Sequence, residues 1–140
     1  MAVSHQMTVV SFPVIATSDT GKSLHHSSNQ YCAVGLTTAG QATLKFTTNV
    51  GALSTAQVIG VLQNNPTTAQ VAAVCVAGVT KLRMAANTLD QGEGVAASSI
   101  GLGIAPTSNN WKIGTILYGS SGAAGRVVTI NLALGGHTTA

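Results

Sequence analysis

Few residues in this chain can move a proton or hold a metal. Asp19, Asp90 and Glu93 are its only carboxylates in 140 residues, and only Asp90 and Glu93 lie close in sequence. General acid or base catalysis needs such a group in a pocket that shifts its pKa. Asp90-Gln91-Gly92-Glu93-Gly94 reads instead as an exposed loop. A Ser-His-Asp triad has no G-x-S-x-G elbow to build on, and the many serines make chance combinations plentiful. His25 and His26 are adjacent, so a strand would point them to opposite faces, and no Cys or His follows at ligand spacing. They read as solvated histidines of an arm. Gly119-Ser120-Ser121-Gly122-Ala123-Ala124-Gly125 has the composition of an anion-cradling loop. No Lys-Ser/Thr follows it and both flanks are strand-like, so a hairpin loop is expected. Cys32 and Cys75 are expected to be separate buried thiols in a chain made in a reducing cytoplasm. No catalytic, cofactor or metal site is expected, and the chain is not expected to be an enzyme.

Composition points away from several other classes. Six Lys+Arg against three Asp+Glu give a formal charge of +3. Lys22, Lys45, Lys81, Arg83, Lys112 and Arg126 are scattered, whereas nucleic-acid binding draws on clustered basic residues. No direct nucleic-acid partner is expected. No membrane span is expected either, because the longest apolar run, Val71 to Val79, is far short of the roughly 18 residues needed. The start, MAVSHQMTVV, lacks the basic end and apolar core of a signal peptide. Charged residues are 6% of the chain, against roughly 25% in free soluble proteins. Two Phe, two Tyr and one Trp make a thin core. Both features suit permanent packing against another protein, with stability shared between subunits.

The elements that would position any site read as strands. Helical periodicity is weak, and Gly, Asn, Thr and Ser interrupt the apolar runs at short intervals, which predicts an all-β sandwich or barrel. The first thirty residues carry an apolar patch, Val9 to Ile15, followed by a polar stretch. Pro13 restricts the patch to an edge strand or extended arm. Residues 1–30 are therefore expected to form an N-terminal arm and residues 31–140 the β domain. Within that domain, Val34 and Leu36 alternate before a turn at Thr37-Thr38-Ala39-Gly40, and Leu44 and Phe46 share a face. Val58 to Leu62 is a short buried strand, and Asn64-Asn65-Pro66 makes its turn. Val74 and Val76 oppose Cys75. After Gly78, Leu82 and Met84 alternate with solvated Lys81 and Arg83. Val128, Ile130, Leu132 and Leu134 form the clearest alternating face, so the last strand should be central.

One spacing recurs. Ile59-Gly60-Val61-Leu62 aligns with Ile113-Gly114-Thr115-Ile116 at an offset of 54, and Val74-Cys75-Val76 aligns with Val128-Thr129-Ile130 at the same offset. Two related hairpins closing one barrel are expected, not a solenoid, which needs three or more repeats. Trp111 and Tyr118 flank the second hairpin. As a core pair they would need no partner; as interface anchors they would match the Trp and Tyr bias of binding surfaces. Phe12 and Tyr31 carry the same two readings.

"YCAVGLTTAGQATL", "VIGVLQNNPTTAQVAAVCVAGVTKLRMAAN" and "KIGTILYGSSGAAGRVVTINLAL" together resemble a family of small tailed-bacteriophage proteins, the capsid cement or head decoration proteins. The resemblance covers roughly residues 31–134. The chain departs from the family where an acidic Ala-Gly loop is usual, having Thr67-Thr68-Ala69-Gln70 and Ala123-Ala124-Gly125-Arg126. Gln91-Gly92-Glu93-Gly94 stands where a Gly-Asp step is usual.

The resemblance implies a compact β-barrel or β-tulip on the outer surface of a virion. It implies a major capsid protein as partner, self-association as a homotrimer, and a role in clamping capsid subunits through many repeated weak contacts. The arm residues Val9, Val10, Phe12 and Ile15 are expected to add a strand to a capsid subunit or neighbouring copy. Tyr31, Trp111 and Tyr118 are further partner-binding candidates. A carbohydrate- or host-adhesion β module on the virion surface is the alternative, with Trp111 and polar loop residues as its contacts.

Overall fold

Apolar residues at a period of two build the strands, and the structure, a computed structural model, shows where they pair. It describes residues 6–13, 29–36, 42–43, 58–66, 70–86, 88–98, 100–107, 112–119 and 122–134. These contain β1 (Met7–Phe12), β2 (Ala33–Leu36), β3 (Ala42–Thr43), β4 (Val58–Leu62), β5 (Ala72–Arg83), β6 (Gly94–Ala97), β7 (Gly103–Ile104), β8 (Lys112–Tyr118) and β9 (Val127–Leu132). No α-helix occurs among the described residues. The fold is all-β: one antiparallel sheet in the order β3-β2-β4-β5-β9-β8-β6-β7, with β1 also paired to β5. It is nearly closed into a barrel. Met84, just past β5, forms a parallel bridge with Gly103 of β7, and the Ala85 N–H donates to the Gly103 carbonyl at 2.9 Å.

The pairings occur twice. Gly35 and Leu36 of β2 face Thr43 and Ala42 of β3, as Ala96 and Ala97 of β6 face Ile104 and Gly103 of β7. Ala33, Val34 and Gly35 pair with Val61, Gly60 and Val58, with a bulge after Val34; Gly94, Val95 and Ala96 pair with Thr115, Gly114 and Lys112, with a bulge after Val95. Val61 and Leu62 face Cys75 and Val74 as Thr115 and Ile116 face Asn131 and Ile130. Phe12, Ser11, Val10 and Val9 face residues 72–75 as Leu82, Lys81, Thr80 and Val79 face residues 128–131. Turn hydrogen bonds repeat as well. Tyr31 N–H to Leu62 carbonyl and Gly92 N–H to Ile116 carbonyl are both 2.8 Å, and Leu62 to Cys32 and Ile116 to Glu93 are both 2.9 Å.

The chain is therefore two copies of one five-strand unit. The first comprises β1 to β4 and the start of β5; the second comprises the rest of β5 and β6 to β9. Each folds back on its own first strand: Ala42 N–H donates to the Pro13 carbonyl at 3.0 Å in the first, and β7 meets the end of β5 in the second.

Each unit has a core built on matching positions. Phe12, Val34, Ile59, Leu62, Ala72, Val74 and Val76 pack together in the first. Their counterparts Leu82, Val95, Ile113, Ile116, Val128, Ile130 and Leu132 pack together in the second. The second core also takes in Ala33, Val61 and Cys75, which join the first unit to the second.

The offset of 54 holds for β4 against β8. The pairing of β5 against β9 runs two residues further on, since Leu62 faces Val74 whereas Ile116 faces Ile130. An even shift keeps every side chain on its face, so the sequence match and the structural match both bury valines and isoleucines. The strands read on either side of Gly78 are one twelve-residue strand. Gly78 takes a φ of +100° and bends the strand without ending it. The last strand is central, between β5 and β8, but it stops at Leu132 and leaves Leu134 exposed. Met7–Phe12, expected in an arm, pairs with β5 of its own chain and contributes Phe12 to the first core. Thr37-Thr38-Ala39-Gly40, Leu44 and Phe46 lie outside the described residues.

Candidate functional site

The sequence candidates among the described residues fall into two groups. Val9 and Val10 sit on β1, where Met7, Val9 and Val10 are 45%, 43% and 40% exposed. Phe12, at the end of the same strand, is half-buried in the first core. β1 thus holds its place with one aromatic anchor and β5 hydrogen bonds, and presents the remaining apolar side chains outward. Ile15 and Trp111 lie outside the described residues.

Tyr31 and Tyr118, distant in sequence, share a face. The Lys81 ammonium lies over the Tyr31 ring, 5.5 Å from its centroid. Lys81 is directly opposite Thr129 on β9, and Thr129 is opposite Tyr118 on β8. Opposed residues of antiparallel strands project on the same side of the sheet. The result is a row Tyr31–Lys81–Thr129–Tyr118, ending in a tyrosine that is 58% exposed. Arg83 extends it. Its Nε donates to the Gln30 carbonyl at 3.3 Å and its Nη1 to the Gly125 carbonyl at 3.2 Å. Arg126 follows in the adjoining loop, exposed. Among the described residues no carboxylate pairs with Lys81, Arg83 or Arg126. The Glu93 carboxylate is engaged locally, accepting the Asp90 backbone N–H at 2.6 Å. The face therefore offers Lys81 and Arg83, neither paired with a carboxylate among the described residues, and two phenol rings.

Tyr31 is unusual in its backbone. Its φ of +67° lies in the left-handed region that side chains avoid, and it is the only non-glycine there among the described residues. Its counterpart in the second unit is Gly92, with a φ of +86°.

The remaining chemical groups are structural. Cys32 and Cys75 are buried thiols with no disulfide between them. Burial pushes the Cys32 thiol up to about 11, against the opposing pull of the Arg83 guanidinium. Burial also raises the Cys75 thiol, partly offset by its hydrogen bonds to the Ala77 carbonyl and to Thr80. Among the described residues no three His, Cys, Asp or Glu side chains lie close enough to hold a metal ion. The glycine-rich stretch joins β8 to β9, and its Gly125 N–H is taken by the Met84 carbonyl at 2.8 Å.

Sequence reasoning missed the clasp around the first hairpin. Gln63 Nε2 donates to Thr80 Oγ1 and to the Val61 carbonyl, both at 2.8 Å, so the buried Thr80 hydroxyl has a partner. Asn64 Nδ2 donates to the Val71 carbonyl at 3.0 Å, and its Oδ1 accepts the Ala73 N–H at 2.9 Å. A Gln-Asn pair at the end of an apolar strand was the available signal, since such amides bond the backbone nearby.

No protein-family model matches the chain, and no curated protein matches it.

Proposed function

We propose that this chain is a structural decoration protein of a tailed-phage head. It binds the outer surface of the capsid, as a homotrimer, and bridges major capsid subunits. The observation that carries this reading is β1, an edge strand of the first unit that keeps Met7, Val9 and Val10 exposed in a chain with only 6% charged residues. Apolar side chains grouped on an edge strand mark a surface that another protein covers. The resemblance in motif order supports the capsid as that partner.

The test is decoration of expanded, unfilled capsids assembled from the major capsid protein of the same phage. Wild-type protein is expected to co-sediment with the particles and to appear as regular density on their outer face. Val9→Asp places a charge on an exposed position, so it is expected to fold normally and to lower occupancy. Wild-type protein that leaves capsids bare and binds host cells instead would establish the adhesion module in place of this reading.

A further inference from the structure

A protein that bridges subunits needs a contact surface besides β1, and the duplicated fold shows where one has been added. Corresponding positions of the two units have the same backbone environment, so residue types that the fold requires should recur in both. The pair Lys81–Thr129 in the second unit corresponds to Ser11–Ala73 in the first, whereas Tyr118 follows a bulge after Ile116 that the matching pair of strands in the first unit does not show. Ser11 faces Ala73 in the sheet, and Ala73 is bonded to the Asn64 side chain. Small neutral residues satisfy that backbone in the first unit. The lysine of the second unit is not needed by the fold.

Tyr31 adds an independent observation. The matching position is glycine in the second unit, which adopts the left-handed backbone without a steric cost. A tyrosine there costs about 1 kcal/mol of backbone strain, and its ring lies against the Lys81 ammonium. Side chains held in strained backbone concentrate at functional positions.

From this geometry we infer that the Tyr31–Lys81–Tyr118 face, with Arg83, docks an acidic segment of the capsid protein. Charge complementarity selects the occupant. Lys81 and Arg83 have no carboxylate partner among the described residues, and Arg83 is already steadied by the Gln30 and Gly125 carbonyls. Its fixed guanidinium presents fork-like donors suited to carboxylates. Tyrosine and arginine are the types enriched at protein interfaces. Two cations on a sheet surface give little counterion release, which disfavours a nucleic acid as the occupant.

The inference rests on the decoration reading. It is tested by titrating wild type, Lys81→Glu, Tyr118→Ala and Tyr31→Gly onto the same expanded capsids at low and high salt, with a thermal melt of each. Oligothymidine serves as a competing probe. Tyr31→Gly removes the ring while relaxing the backbone, so it keeps the fold. Each variant is expected to melt within a few degrees of wild type and to bind at least about tenfold more weakly at low salt, with the difference shrinking as salt screens the contact. Variants that decorate like wild type overturn this inference and leave the decoration reading standing. Oligothymidine binding that Lys81→Glu abolishes overturns it in favour of a nucleic acid. Bare capsids with wild-type protein overturn the decoration reading and this inference together.

Discussion

Gly60 and Gly114 occupy corresponding positions on β4 and β8, and both face a partner strand too close to admit a side chain. A Cβ on Gly60 would strike the Cys75 carbonyl oxygen, and one on Gly114 the Asn131 carbonyl oxygen. Because the obstacle is backbone, no rotamer change relieves it. Gly60→Ala and Gly114→Ala are each expected to destabilise by more than about 3 kcal/mol. Gly92→Ala meets nothing within 4 Å, so only its positive φ matters, and the expected loss is about 1–2 kcal/mol. Urea titration of the three variants checks the order; equal losses would remove close approach as the explanation. Cys32 sets a pH dependence at the same scale. In the unfolded chain thiols ionise from near 9.0, whereas folded Cys32 keeps its proton until about 11. The proton is held more tightly in the folded state, so the stabilisation is complete below the unfolded pKa and is lost as pH rises toward 11. The slope is about 1.4 kcal/mol per pH unit. Urea midpoints taken between about pH 8 and about pH 10.5 should fall more steeply for wild type than for Cys32→Ala. Parallel slopes would show that Cys32 ionises freely.

At the scale of elements, β4 was legible to the residue, because Val58 to Leu62 is a short apolar run between polar stretches. The β4–β8 kinship was legible too, since Ile-Gly recurs in both at positions where the fold needs glycine. The kinship of β2 with β6 was hidden. Their turns match hydrogen bond for hydrogen bond, yet Tyr31 and Cys32 stand where the second unit has Gly92 and Glu93. Backbone register makes that match, and side-chain identity carries no trace of it. β5 was misread as two strands because glycine usually marks a break. Here Gly78 bends a strand whose first half closes one unit and whose second half opens the next. The Tyr31–Tyr118 face was illegible for a related reason. It exists only because β5, β9 and β8 are neighbours in that order, and no local pattern encodes which strands adjoin.

At the scale of the molecule, the two units differ in the surface on which a following unit would pack. The first unit meets the second through Ala33, Val61 and Cys75, all fully buried. The matching surface of the second unit is Gly94, Thr115 and Asn131, none of them buried. The same backbone surface is thus apolar in the first unit, where the second covers it, and polar in the second, the contrast that distinguishes a buried repeat surface from a solvated one. Exchange of residues between these positions tests the idea in both directions. Val61→Thr buries a hydroxyl against the second core and is expected to cost about 1–3 kcal/mol. Thr115→Val with Asn131→Val recreates an apolar joining surface on the open end. Valine suits a strand, so this double variant is expected to keep the wild-type melting temperature while gaining concentration-dependent association beyond the wild-type assembly. Sedimentation velocity over a concentration series reads the outcome. A double variant that sediments like wild type at every concentration would mean that the polarity of Thr115 and Asn131 is not what keeps this surface from associating.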